Sequence, residues 1–113
     1  MISNGANVIS SPLKPQYFQI LLALSARDLH GYGIQRAVLE QTDDGMRLWP
    51  AMLYRSLAKL EESGLIEPAP TPDDEPEDER RQYCGLTAKG REWLRAEGEL
   101  MARWVSAARQ MEV

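Results

Sequence analysis

Arg55 and Lys59 stand one helical turn apart in the stretch from Leu53 to Ile66. They fall on the side opposite a narrow apolar stripe, Leu53, Leu57 and Leu60 at i, i+4 and i+7. Cations at that spacing on the outer face of a helix meet phosphates and base edges when the helix lies in a DNA major groove. Ala51 and Met52 near the start of the helix, and Tyr54 with a hydroxyl to offer a phosphate, complete the candidate contact set on this element. Arg80 and Arg81 form a second basic pair further along, at the foot of a loop. Two readings stand for Arg55 and Lys59: DNA contact, or an ordinary solvated face paired with Glu61 or Glu62. Tyr54 likewise has packing against a neighbouring hairpin as its alternative.

Other chemistry finds little support. No Gly-rich phosphate loop, no metal-ligand spacing and no nucleophile with a nearby base is present, so neither an enzyme nor a cofactor or metal is expected. His30, the single histidine, has no ligand partners in the local sequence and reads as a turn or helix-capping residue. Cys84, the single cysteine, excludes an internal disulfide framework and reads as a small buried apolar residue in a strand. Trp93 and Trp104 read as core or subunit-interface residues. For Trp104, with Met101 one turn before it, a second reading is a flat, polarizable wall for a planar aromatic effector.

These side chains need a frame, and the pattern supplies one. Residues 1 to 11 lack apolar periodicity and read as a flexible arm. Ser11-Pro12 gives a helix start, and Tyr17 to Leu24 is apolar nearly all round, the mark of a helix buried against several neighbours. A second helix, carrying Ile34, Val38 and Leu39, ends in the turn residues Thr42-Asp43-Asp44-Gly45. Arg47-Leu48-Trp49 is an extended connector, and Pro50 suits the first position of helix three. Gly64 stops that helix, and Leu65-Ile66 switches to strand.

Residues 65 to 69 and 82 to 86 are expected to pair as a hairpin, with Thr87 as N-cap of a last helix. That helix carries a stripe of Leu94, Met101, Trp104, Val105, Ala108 and Met111, longer than a domain of this size covers alone, and it predicts a homodimer through the last helices. The fold class is therefore mainly α with a small β-hairpin: a winged helix-turn-helix over 12 to 86, preceded by the arm and followed by a dimerisation helix over 87 to 113.

Charge bounds the partner. The chain has 113 residues and a formal net charge of −4, but residues 73 to 79 hold 6 of its 17 acidic groups, leaving 13 basic against 11 acidic groups elsewhere. A proline-containing block of like charge repels itself and reads as a mobile loop. Phosphate contact depends on local patches, so the total weakens a double-stranded DNA partner without refuting it. A protein-interaction module of winged-helix form is the alternative that the acidic block supports. No apolar run reaches the ~18 residues of a membrane span, and the first residues lack the pattern of a signal peptide, so a cytoplasmic location is expected.

Taken together, Leu29-His30-Gly31-Tyr32-Gly33-Ile34, Leu53-Tyr54-Arg55-Ser56-Leu57 with Leu60-Glu61 and Gly64-Leu65-Ile66, and Arg81-Gln82-Tyr83-Cys84-Gly85-Leu86-Thr87 with Gly90 occur in an order and spacing that resembles the PadR family of winged-helix regulators. The resemblance spans residues 18 to 94, and the length is similar to that of the small subfamily with one C-terminal helix. It implies a dimer that represses by binding an inverted-repeat operator and is released by a small molecule. Two departures stand out. Trp49-Pro50-Ala51-Met52 replaces the small hydroxyl or glycine residues common at the start of helix three, and the loop tip is acidic where many relatives are rich in Gly and Arg, leaving Arg80 and Arg81 at its base.

Overall fold

The structure, a computed structural model, describes residues 9–111. Its order is α1 (Pro15–Ala26), α2 (Gly31–Gln41), α3 (Pro50–Glu62), β1 (Ile66–Ala69), β2 (Tyr83–Leu86) and α4 (Ala88–Met111). The expected elements are thus present, mainly helical with one antiparallel hairpin. In α1 the all-round apolar character has its cause in position, because α2, α3, α4 and β2 all pack on it. Ile20, Leu21 and Leu24 meet Ile34 and Val38 of α2, Leu48 of the connector, Leu53 and Leu60 of α3, and Leu65, and all of these are fully buried. Each such side chain contributes roughly 1.5–3 kcal/mol relative to an exposed one.

Helix one begins at Pro15, its missing N–H harmless at that position, and not at Ser11-Pro12. The reason lies 86 positions away: the Ser11 hydroxyl donates to the carboxylate of Glu97 in α4, and the Leu13 N–H donates to the same carboxylate at 2.8 Å. Glu97 is only 5% exposed, so these bonds satisfy a buried charge. At the end of the arm expected over residues 1 to 11, Ile9 is buried and the Ser11 hydroxyl bonds Glu97; residues 1–8 lie outside those described.

Helix three stops as expected. Gly64 adopts φ +79°, and the Leu65 N–H reaches the Leu60 carbonyl at 3.0 Å, closing the helix end over a left-handed glycine. β1 pairs β2 with Ile66 opposite Leu86 and Ala69 opposite Tyr83. On its other edge β2 is bridged by Leu29, whose N–H and carbonyl both bond Cys84, at 3.1 and 2.9 Å. Pro68 sits in the outer strand, where a missing donor harms nothing.

Thr87 caps α4 as its sequence position predicts, accepting from the Gly90 N–H at 2.9 Å. It also donates to the Gly64 carbonyl at 2.6 Å, while Lys89 Nζ donates to the Ser63 carbonyl at 3.0 Å. Gly90 is buried, and its Cα faces the Leu65 carbonyl so closely that a Cβ would fall on that oxygen. The end of α3, the start of β1 and the root of α4 are thereby one joint. Beyond Glu97 the helix has no buried residue among those described.

Candidate nucleic-acid interface

Leu53, Ser56 and Leu60 are the buried positions of α3, with Leu57 half-buried, so the outer face carries Ala51, Tyr54 and Arg55 exposed and Lys59 half-buried. Of the four outward residues, Tyr54 is 60% exposed, and its hydroxyl lies over Gly31 at the start of α2, within 2.8 Å of where a Cβ would stand. It therefore approaches the start of α2, with its hydroxyl at the seam of the two helices. Met52, named from sequence as a DNA contact, is half-buried and packs in part against the hydrophobic core, beside Leu53 and Ser56.

The connector is better built than its sequence suggests. Gln35 Nε2 donates to the Leu48 carbonyl at 2.6 Å, and Leu48 is buried, while its neighbours Arg47 and Trp49 are exposed. Arg47 holds its guanidinium 5.6 Å from the Trp49 ring centroid, and Arg36 sits likewise at 5.9 Å from Tyr32. Neither α2 nor α3 has an acidic residue in its first turn, and neither has a side-chain cap. Sequence reasoning passed over Arg47, Trp49, Tyr32 and Arg36; the available signal was an aromatic residue two to four positions from an arginine in two successive segments.

The acidic loop expected from composition carries ion pairs to Arg27, Arg80 and Arg81. Arg27 at the end of α1 pairs with Asp74 at 3.1 Å and Glu75 at 3.8 Å. Arg81 pairs with Glu75 at 3.6 Å and Asp78 at 3.9 Å, and Arg80 with Asp78 at 3.4 Å. The Arg80 N–H and guanidinium hold the Asp78 carboxyl below its ordinary value. These are exposed pairs of modest individual worth. Their arrangement still means that the two arginines named for phosphate contact already face carboxylates of their own loop.

His30 occupies the N-cap position of α2 by its backbone, but its side chain makes no capping bond. It packs on the Tyr83 ring at 5.1 Å, and its Nδ1 is buried without a hydrogen-bond partner among the described residues. Burial, with the nearby Arg81 charge, lowers its pKa and keeps it neutral at pH 7. Cys84 is half-buried, and burial, followed by the charges of Asp28 and Glu61, pushes its thiol up to about 11. The thiol is therefore protonated at neutral pH and inert as a nucleophile. Among the described residues no three His, Cys, Asp or Glu side chains gather to hold a metal, and no helix is long and apolar enough to cross a membrane.

On α4, Leu94, the first residue of the stripe drawn from sequence, and Trp93 are half-buried and pack in part against the core. Met101 is half-buried, Trp104 and Val105 are each 49% exposed, Ala108 is exposed and Met111 is 83% exposed. An open groove on this helix is lined by Ala102, Val105, Ser106, Arg109 and Gln110, with neither Met101 nor Trp104 in its wall.

Comparison with known proteins bears on this geometry. A family model described as the transcriptional regulator PadR-like family matches residues 20–96. A 37.1 kDa protein of transposon TN4556 from Streptomyces fradiae, itself uncharacterised, is 43% identical over 84 residues; the match covers 74% of this chain and 22% of that protein, so the chain spans less than a quarter of the relative's length. Among solved structures, a transcriptional regulator from Clostridium thermocellum superposes with a TM-score of 0.70 at 22% identity, covering 87% of this chain and 90% of that one. A PadR family transcription regulator from Clostridium difficile gives 0.70 at 19% identity, covering 87% and 98%.

Proposed function

Because the chain belongs to the PadR-like family of transcriptional regulators, we propose that it is a ligand-responsive repressor that binds an inverted-repeat operator in double-stranded DNA as a homodimer. The observation that carries this reading is α3. Its inner face is locked into the core by Leu53 and Leu60, and its outer face leaves Arg55 and Tyr54 exposed, with Lys59 half-buried one turn on. A helix so presented, at the start of a winged motif, reads base edges and phosphates. Arg55→Ala or Lys59→Ala is expected to weaken operator binding by about 1–3 kcal/mol where the side chain reaches a base edge, or to lower the salt slope by about one where it reaches a phosphate. Titration of both variants against salt measures this, and unchanged affinity and slope in both would remove α3 as the reading element.

The acid-filled loop favours a second reading, a winged-helix module that binds protein without DNA. Strongly salt-dependent duplex binding separates the two, since counterion release accompanies phosphate contact. On the repressor reading, neutralising residues 73 to 79 leaves affinity equal or raises it, because Glu75 and Asp78 compete with phosphate for Arg80 and Arg81.

The dimer forms through α4, where Trp104, Val105, Ala108 and Met111 are exposed in the single chain and Met101 is half-buried beside them. A flat, largely apolar effector binds where the two α4 helices meet, against Met101 and Trp104, and releases DNA by favouring one dimer geometry over the other. Titrating planar aromatic compounds with tryptophan fluorescence is expected to show binding in the wild type and in Trp104→Phe, and its loss in Trp104→Ala. A dimeric Trp104→Ala with full ligand affinity and full release from DNA defeats this placement.

A further inference from the structure

Trp49 is the most exposed tryptophan of the chain, 65% open to solvent, at the N-cap of α3. Nothing in its packing puts it there by default. The connector is extended, so its residues alternate in direction: Leu48 goes into the core, its carbonyl fixed by Gln35, and Arg47 and Trp49 go out on either side of it. Arg47 then stacks on the indole and braces one face of the ring. A large apolar ring exposed to solvent, next to a cation and at the head of a helix, is the profile of a contact residue.

Three observations say what it contacts. The first turns of α2 and α3 carry no acid, and Arg36, Arg47 and Arg55 stand around them, so the surface complements a polyanion. Trp49 is continuous with Ala51, Tyr54 and Arg55, the outer face already assigned to DNA. The N-terminal end of a recognition helix is also the part that approaches base edges. An indole has one N–H donor and no acceptor, and the rest of it is apolar. In the major groove the only apolar group among the base edges is the C5-methyl of thymine. We propose that Trp49 reads thymine, seating its ring against the C5-methyl of one base beside the head of α3, with Arg47 holding the ring and meeting the adjacent phosphate. This assignment rests on the DNA-binding reading above and names the base to which that reading responds.

The experiment removes one methyl group from each side of the contact. Wild-type protein is used to recover duplexes from a randomised pool, and each thymine of the recovered site is then replaced singly by deoxyuridine. Wild type, Trp49→Phe and Trp49→Ala are compared, with melting curves to show that changing an exposed residue leaves the fold intact. At one thymine in each half-site the replacement is expected to weaken wild-type binding about fourfold, the value of one buried methyl. Trp49→Phe keeps most of that penalty. Trp49→Ala loses it, binding thymine and deoxyuridine duplexes equally while retaining the wild-type salt slope. The assignment is overturned if no thymine is methyl-sensitive in wild type, or if Trp49→Ala keeps the full penalty. A wild type that recovers no duplex at all overturns the DNA reading and the assignment together, whereas sound but methyl-blind binding overturns the assignment alone.

Discussion

Gly90→Ala is expected to destabilise the protein by about 3 kcal/mol or more, while Gly98→Ala in the same helix is neutral or stabilising by up to about 1 kcal/mol. Both changes add one methyl to a helical glycine, and intrinsic propensity favours both. The surroundings decide. At Gly90 the new carbon falls on the Leu65 carbonyl, with the Leu86 side chain 3.2 Å away; a backbone oxygen at the start of β1 has nowhere to go without dragging the hairpin. At Gly98 nothing lies within 4 Å. Urea denaturation of the two variants and wild type at one protein concentration measures the difference. Equal midpoints for Gly90→Ala and wild type would show that α4 does not sit on β1 as described.

Removing residues 99 to 113 is expected to convert the proposed dimer into a folded monomer. Every buried residue of α4 lies at or before Glu97, and Trp93, Leu94 and the Glu97 bonds to Ser11 and Leu13 all survive the cut. What is lost is the half-buried Met101 with the exposed Trp104, Val105, Ala108 and Met111, the apolar stripe proposed for the interface. With one α3 per molecule the second half-site no longer binds intramolecularly, and operator affinity drops on the order of 100-fold or more. Sedimentation gives the assembly state and titration the affinity. A truncated chain still dimeric and folded would place the interface elsewhere.

Much of this frame was legible because its signals are local. Gly64 after a leucine stripe, Pro50 at a first helical position and Thr87 three residues before Gly90 each act within one turn, and each element they bound is present. What escaped depends on residues far apart in the chain. Ser11 resembles a cap until Glu97 claims its hydroxyl, and the Leu29 to Cys84 bridge pairs a single residue with a strand 55 positions on. Charge composition separated the acidic loop from the rest but did not show that Arg27, Arg80 and Arg81 would fold onto it. Helical spacing put Met52 and Leu94 on faces, yet it does not say which faces the domain covers for itself. The same blindness hid Trp49, since a tryptophan beside a proline reads as packing until its exposure is seen.

The joint at the root of α4 has a mechanical consequence. Thr87 grips the Gly64 carbonyl, Lys89 grips that of Ser63, and Gly90 leaves no gap above Leu65, so the last turn of α3 and the first turn of α4 are keyed together like a crank and its shaft. The free arm beyond Gly98 extends about 20 Å at 1.5 Å per residue. In the proposed dimer, a few degrees of scissoring between two such arms would reach the reading helices with no slack in between. The gap between half-sites would then be set by the angle at which two shafts cross, a quantity that one molecule wedged between them can adjust.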